Sequence, residues 1–209
     1  MSSLAGFLLA SLAVVAVPGS NLVHIVTRSA QDGRRAGLVT ALGVETGTLL
    51  HVLAAVGGLA ALVSDHPLAF TVLRYAGAGY LAYLGVRALA RRPAPDVGGA
   101  PGADRSAGRR LFRVWGDAVL VNLLNPKVVL FFVAFLPQFV PAGLSAAATR
   151  ARMLVLGVVF LALALALDLC YALLGAALTG RLRGTPRRER RLSCVTGGVH
   201  LGLAALVLV

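Results

Sequence analysis

Charged residues are scarce in this chain of 209 residues. Only 13% of them are charged and 58% are hydrophobic, whereas a soluble globular domain carries about 25% charged residues. A chain of this size has too much surface for its volume to hide so many apolar side chains in one soluble core. The composition therefore excludes an ordinary soluble protein and indicates a membrane protein, with the lipid bilayer as its first partner.

Cysteine and catalytic motifs are nearly absent as well. The two cysteines, Cys170 and Cys194, give no CxxC pair and no disulfide framework. The four histidines show no HExxH motif or other metal-ligand spacing, and no GxSxG, P-loop or dinucleotide-binding motif occurs. We therefore expect no enzyme activity, no cofactor and no metal site.

The formal net charge of +12 raises nucleic-acid binding as an alternative. Most of the arginines, however, fall in short clusters between apolar stretches, without the interleaved aromatic residues that stack on bases in a single-strand groove. We therefore expect no nucleic-acid partner and interpret the clusters as membrane-topology signals.

Six apolar stretches are long enough, or nearly so, to cross a bilayer as helices, which takes about 20 residues each. They cover residues 4–27, 36–63, 68–89, 114–140, 153–179 and 192–209. The first has no basic segment before it and no small-residue cleavage site before Pro18, so we interpret it as a retained span rather than a cleaved signal peptide. The sequence thus predicts an all-α membrane protein with about six transmembrane helices.

Arginine clusters mark alternate connections between these stretches. They lie at 28–35, 91–113 and 181–191, whereas the second connection has no basic residue and the fourth has none until Arg150 and Arg152. By the positive-inside rule, the first, third and fifth connections face the cytoplasm. We expect a multi-pass protein of the cytoplasmic (inner) membrane with both termini outside.

A flexible cytoplasmic linker is predicted in the middle of the chain, where Pro, Gly, Ala and Asp are frequent and apolar periodicity is missing. The predicted parts are a three-helix half at 1–91, the linker at 92–110 and a second three-helix half at 111–209. Each half begins with a proline-interrupted apolar segment, at Pro18-Gly19 and at Asn125-Pro126. Because three spans per half give the halves opposite orientations, we expect an inverted 3+3 repeat of the kind found in secondary transporters.

The two interruptions predict a polar site inside the membrane. A proline removes a backbone hydrogen bond, and in hydrocarbon the freed carbonyl must be satisfied by protein or by cavity water. A kink that serves packing alone is the alternative, but the matching positions favour a site for the head group of a small zwitterionic solute. The expected binding residues are Pro18, Gly19, Asn21, Asn122, Asn125, Pro126 and Lys127. Lys127 has a second interpretation, as an interfacial residue whose stem reaches the membrane surface.

Glu45 and Asp168 are acids within long apolar runs. A buried acid costs at least about 2.5–3.5 kcal/mol, so such a residue indicates a functional site by default. Burial disfavours the charged form, which suits proton binding and release. Glu45 has the alternative of reaching the cytoplasmic end or pairing with an arginine, whereas Asp168 has only apolar neighbours and shares a helix face with Tyr171. We expect Asp168, together with Glu45, to carry a coupled proton.

Motifs along nearly the whole chain resemble the LysE/RhtB family of amino-acid exporters. They lie at 17–21, 32–38, 43–51, 80–85, 122–127 and 131–139, and the last, FFVAFLPQF, is rather specific. The resemblance implies a six-span exporter of amino acids or close relatives, driven by the proton gradient. The residues that match the family's motifs are Pro18, Gly19, Asn21, Asn125 and Pro126, and Asp168 matches an acid often seen in its fifth span. Ser20 occupies the position where the family usually has a second proline. Because serine interrupts a helix less strongly than proline, the first break is expected to be less pronounced.

Two other function classes stay open at this stage. One is an exporter of a cation or another small metabolite with the same architecture, and the other is a non-transporting membrane protein such as an assembly partner. A homo-oligomer also stays open, because the glycine ridges of the sequence serve packing within and between chains alike.

Overall fold

All regular structure in the computed structural model is helical over the residues it describes, which are 4–58, 67–90, 103–180 and 186–208. The helices are α1 (Leu4–Ala16), α2 (Ser20–Asp32), α3 (Arg34–Val56), α4 (Pro67–Leu89), α5 (Ala103–Leu123), α6 (Pro126–Leu130), α7 (Ala146–Gly180) and α8 (Pro186–Leu208). After α6 the chain continues as a π-helical turn, Phe131–Phe135, and a 3₁₀ turn, Leu136–Phe139. The predicted all-α membrane fold is confirmed.

Length and hydropathy identify two single helices and two bent helix pairs as candidate membrane spans. The single helices are Arg34–Val56 and Ala146–Ala177. The pairs, α1 with α2 and Gly108–Leu123 with Pro126–Phe139, bend by 51° and 52°. These spans, up to four in number, lie in the first, second, fourth and fifth predicted stretches. Within the described ranges α4 and α8 do not meet the same criterion, so the count of six stays a prediction.

Helix α5 begins earlier than the sequence predicts. It starts at Ala103, so residues 103–110 of the predicted linker are helical. The run after Pro101 contains Ala and Arg, which favour helix, and has no proline to prevent it. Residues 91–102 lie outside the described part, and the division into halves at 1–91 and 111–209 stays a prediction.

Helix packing joins the two predicted halves. The long helix α3 packs against α5 of the second bent pair, and the long helix α7 packs against α2 of the first. In addition, α3 packs against α7, and α4 packs against α8. The inverted repeat stays a prediction, because the helix in contact is the first of one bent pair and the second of the other.

The two helix breaks are built from different residues. At the first break, Gly19 precedes α2 in an extended conformation with φ −144° and ψ −173°. At the second break, Asn125 caps α6, and its side chain accepts a hydrogen bond from the backbone N–H of Lys127 at 3.1 Å. Pro126 occupies the first helical position, where its missing N–H leaves no hydrogen bond unmade. Each break therefore ends one helix and begins another within about four residues.

The close contact between α3 and α5 depends on glycines of α3. A Cβ atom at Gly43 would lie 2.6 Å from the carbonyl oxygen of Trp115 and 2.8 Å from the Cβ of Ala118. One turn later, a Cβ at Gly47 would lie 2.7 Å from the side-chain oxygen of Asn122. Membrane helices associate through such small residues because lipid supplies no hydrophobic force between them. This ridge holds α3 against the helix that leads into the second break.

Replacement of Gly43 by alanine tests this packing. We expect Gly43→Ala to lower the free energy of unfolding by about 1–3 kcal/mol, because the added methyl meets backbone that cannot move aside. Gly79→Ala on α4 is the matched control, since nothing lies within 4 Å of the position that its new methyl group would take, and it should be neutral or stabilising. Thermal unfolding in detergent measures both variants, and equal stability of the two would contradict this account of the α3–α5 contact.

The cap of α6 is tested by a pair of substitutions at Asn125. We expect Asn125→Ala to cost about 1 kcal/mol of stability, the usual loss for an N-cap residue. Asn125→Asp keeps a capping oxygen beside a helix N-terminus and should recover most of that loss. The readout is the shift of the unfolding midpoint for each variant. Equal losses for Ala and Asp would show that the cap is not what Asn125 contributes.

Candidate functional site

The two helix breaks meet at one small cavity, which we call the acid cavity. The side-chain amide of Asn125 donates to the side-chain oxygen of Asn21 at 3.1 Å, and Nζ of Lys127 donates to the carbonyl of Val17 at 2.8 Å. Its polar and glycine lining consists of Gly19, Asn21, Glu45, Thr48, Asn125, Lys127 and Asp168. The volume is about 40 Å³, which has room for water but not for an amino acid. The site is therefore closed in this conformation.

Positive electrostatic potential comes from three sources at the acid cavity. Both α2 and α6 begin there, and the first N–H groups of a helix carry partial positive charge and lack partners within the helix. The third source is the ammonium group of Lys127. It also contacts the carbonyl of Val17, just after the C-terminal end of α1, where a cation is favoured. This arrangement suits a carboxylate.

Two acids face each other in the same cavity. Glu45 on α3 and Asp168 on α7 are only 6% and 4% exposed, and both line this cavity. Two carboxylates that are close together and buried repel each other, which favours a proton on one of them. The second oxygen of Glu45, Oε2, has no hydrogen-bond partner among the described residues. The pair can therefore hold a proton, or accept hydrogen bonds from an ammonium group.

Six of the nine predicted site residues line the acid cavity: Gly19, Asn21, Asn125, Lys127, Glu45 and Asp168. Pro18 and Pro126 lie at the breaks without lining it. Asn122 is fully buried behind it and donates to the side-chain oxygen of Thr48 at 3.2 Å. Thr48 itself lines the cavity and was not predicted, although it lies three residues after Glu45 on the same helix face, a spacing that could have revealed it.

Aromatic side chains close one side of the acid cavity. Phe160, which lines the cavity, stacks on Phe131 with a centroid distance of 4.4 Å and meets Phe132 edge-to-face at 5.3 Å. Phe7 joins the same cluster through Phe131, at 6.3 Å, and through Phe139. We call this group the aromatic cluster, and it lies at the ends of α1 and of the second bent pair that the sequence predicts to be outside.

A second and much larger cavity lies between α2, α4, α5 and α8. Its volume is about 490 Å³, and we call it the arginine vestibule because its charged lining consists of Arg28, Arg87, Arg110, Arg113 and Asp117. Arg28, Arg110 and Arg113 belong to the first and third connections, which the sequence predicts to be cytoplasmic, and Arg87 lies in the last turn of α4, at the same end of the third predicted stretch. The sequence did not reveal this cavity, because its residues are far apart in the chain and resemble ordinary topology signals.

Two aspartates hold the arginines of the vestibule in place. Asp117 on α5 accepts hydrogen bonds from Arg28 at 3.0 Å and Arg87 at 3.3 Å, and also from the hydroxyl of Tyr80. Asp32 on α2 accepts from Arg28 at 3.2 Å and from Arg110 at 2.6 Å. This network ties α2, α4 and α5 together at one end of the molecule. More guanidinium groups than carboxylates line the cavity, so its field attracts anions.

Comparison with known proteins agrees with this architecture. Residues 12–209 match the family described as LysE type translocator. The chain is 30% identical over 201 residues to a homoserine/homoserine lactone efflux protein of Salmonella typhimurium. The aligned region covers 96% of this chain and 93% of that protein. A protein of the same description from Salmonella typhi shows the same identity and coverage. An uncharacterized membrane protein of Pseudomonas aeruginosa is 36% identical, over 96% of this chain and 88% of that protein.

No solved structure is significantly similar to the chain. The family match nevertheless covers nearly the whole sequence, and the described helices include candidate membrane spans. The resemblance to the LysE/RhtB exporters is thereby confirmed. The chain belongs to the family of LysE type translocators and is a multi-pass membrane transport protein.

Proposed function

We propose that the protein exports a small neutral amino acid or amino-acid derivative from the cytoplasm by alternating access, in exchange for protons. The observation that carries the proposal is the convergence of two helix N-termini, Lys127 and the Glu45–Asp168 pair on one cavity. A zwitterion has an anionic and a cationic end. Its carboxylate fits the helix N-termini and Lys127, and its ammonium group fits the two acids.

The solute named for the relatives narrows the choice. Two proteins of similar sequence are described as homoserine/homoserine lactone efflux proteins. Homoserine is a neutral zwitterion with a short hydroxyl side chain, which suits the polar lining that Asn21, Thr48 and Asn125 contribute. We therefore propose homoserine, or an amino acid of similar size and charge, as the exported solute.

Coupling to protons follows from competition at the acid pair. An ammonium group that binds between Glu45 and Asp168 replaces the proton that the two carboxyl groups share. On the cytoplasmic side, solute binding then releases the proton, and on the outer side proton binding releases the solute. Because solute and proton exclude each other at one site, downhill proton entry drives solute export.

The arginine vestibule and the aromatic cluster support an entry route from the cytoplasm. The vestibule attracts the carboxylate of the solute through Arg28, Arg87, Arg110 and Arg113. The aromatic cluster closes the opposite side of the acid cavity. For transport, the helices around the acid cavity would have to move apart. The cavity would open first to the vestibule and then, on the other side, past the aromatic cluster.

Export of a cation or another small metabolite is the alternative that the same acid pair leaves open. Within the ranges that the structure describes, no group of three or more His, Cys, Asp or Glu side chains gathers to bind a metal ion. The zwitterion therefore remains the leading proposal, because its two ends account for both the acids and the helix N-termini.

Efflux from proteoliposomes tests the function directly. Vesicles would be loaded with labelled homoserine, threonine, lysine or leucine, with and without an imposed pH gradient. We expect gradient-dependent efflux of homoserine or threonine, and much weaker efflux of lysine, whose extra positive charge has no partner beside Lys127. The absence of flux for every amino acid from correctly inserted protein would reject the proposal and direct attention to cations.

Substitution of Asp168 tests the coupling. We expect Asp168→Asn to lower gradient-driven efflux by about 5- to 150-fold, the effect of losing a coupling free energy of about 1–3 kcal/mol. Asp168→Glu keeps a carboxyl group and should retain part of the activity. Glu45→Gln should resemble Asp168→Asn, because either change removes one member of the pair. An Asp168→Asn protein with full gradient-driven efflux would remove Asp168 from the mechanism.

A further inference from the structure

Two histidines meet in the interior beside the arginine vestibule. His24 on α2 and His200 on α8 are each 2% exposed. Nδ1 of His24 lies 3.2 Å from Nε2 of His200, with the ring planes 79° apart. We call them the histidine pair. The proposed binding site does not include them.

Hydrogen bonding defines where the neutral histidine pair carries its protons. The carbonyl of Thr196 can only accept, so Nδ1 of His200, which is 2.8 Å away, must be the protonated nitrogen of that ring. Nε2 of His200 is then an acceptor, and Nδ1 of His24 donates to it. The remaining nitrogen, Nε2 of His24, is therefore a bare acceptor.

This bare nitrogen is the unusual feature of the pair. Nε2 of His24 is buried and has no hydrogen-bond partner among the described side chains and backbone. A buried acceptor without a partner destabilises the fold, so proteins rarely keep one without a purpose. A nitrogen lone pair in this position can take up a proton, and a neighbouring histidine in contact can share it.

The histidine pair lies between the two cavities. Asn21 lines the acid cavity, whereas His24 and His200 line the arginine vestibule. Three residues of α-helix separate Asn21 from His24, a rise of about 4.5 Å. The pair therefore stands about one helical turn from the acid cavity and opens towards the predicted cytoplasmic side.

We propose that the histidine pair is the proton-binding site through which the coupled proton passes from the Glu45–Asp168 pair to the arginine vestibule. This inference rests on the proposed proton antiport. A proton that solute binding displaces reaches Nε2 of His24, and the Nδ1 proton of His24 crosses the 3.2 Å contact to His200. The Nδ1 proton of His200 then leaves its hydrogen bond to the carbonyl of Thr196 for water in the vestibule. One proton enters the pair and one leaves it, so no other reactant is needed.

The surrounding charges favour transfer of the proton through the histidine pair and disfavour a pair that stays protonated. The charged residues that line the vestibule with the pair are Arg28 on α2, Arg87 on α4, and Arg110, Arg113 and Asp117 on α5, whereas Glu45 on α3 and Asp168 on α7 line the separate acid cavity. The arginines on the vestibule side disfavour a lasting positive charge on the histidines. The acids on the other side are the source of the proton, so it moves through the pair in steps.

Another hydrogen bond beside the pair also links α2 to α8. Gln31 donates a hydrogen bond to the side-chain oxygen of Thr196 at 2.6 Å and so links α2 to α8 without the histidines. Packing of these two helices therefore does not require an imidazole pair. Glutamine substitutions at the histidines keep hydrogen-bonding side chains of similar size and remove only the titrating ring.

Nitrogen NMR on histidine-labelled full-length protein in nanodiscs tests the proton site without transport. At high pH we expect both His24 and His200 to carry their proton on Nδ1. Because burial and the vestibule arginines disfavour a charged ring, we expect the pair to stay neutral between about pH 8 and pH 5, where histidine usually titrates. At lower pH it should gain a proton and lose these tautomer signals together. Spectra of His24→Gln and His200→Gln assign the signals. A pair that keeps one protonation state throughout would overturn the proposal.

Transport by the same variants tests the route. We expect His24→Gln and His200→Gln to lower gradient-driven homoserine efflux by about 5- to 150-fold, while exchange of internal for external homoserine, which needs no net proton release, continues. His66→Gln is the matched control, since His66 lies in the second predicted connection and belongs to neither proposed site, and it should retain both activities.

Each outcome decides between the alternatives. Loss of gradient-driven efflux with exchange at the level of His66→Gln supports the route. Retention of both activities, or equal loss of both in the two variants, overturns it, and His200→Gln decides if His24→Gln does not insert. If the unaltered protein moves no homoserine, the proposed function fails, whereas the NMR titration still decides whether the pair is a proton site.

Discussion

Backbone polar groups cannot be left without hydrogen bonds in the hydrocarbon of a membrane, and the rest of this structure depends on how that constraint is met. Each broken span frees carbonyl and N–H groups at the depth where water is scarce. The molecule satisfies them by bringing the breaks together, so that Lys127 binds the carbonyl of Val17 and Asn125 binds both Asn21 and its own helix. The helix N-termini at the two breaks, together with Lys127, Glu45 and Asp168, lie at one cavity. The binding site that we propose for a zwitterion lies at this cavity, where the two interrupted spans meet.

Local features of the structure could be predicted from the sequence, because local residues determine them. Proline ends helices wherever it stands in an apolar run, so both breaks were predictable, and scarcity of charge was enough to predict the membrane fold. The burial of Asp168 followed from its apolar neighbours. The start of α5 at Ala103 was missed, since a segment rich in glycine and proline near residue 95 hid the helix-favouring residues that follow.

Contacts between distant segments could not be predicted in the same way. Glu45 had an equally reasonable alternative near the membrane surface, and only the packing of α3 against α7 brings it to Asp168. Lys127 had two interpretations until the position of Val17 was known. The histidine pair joins residues 176 positions apart, and nothing in the spacing of single histidines indicates a pair. In each case the contact depends on how helices of one half pack against helices of the other.

The central claim is that the two helix breaks form one binding site. A double-mutant cycle on homoserine affinity, with Asn21→Ala, Asn125→Ala and the double variant, tests it most directly. The account predicts that each single change weakens binding and that the double variant binds little worse than the weaker-binding single variant. The reason is that the two side chains are hydrogen-bonded to each other and act on the solute as one unit. Losses that add independently, or affinity that neither change affects, would contradict the claim.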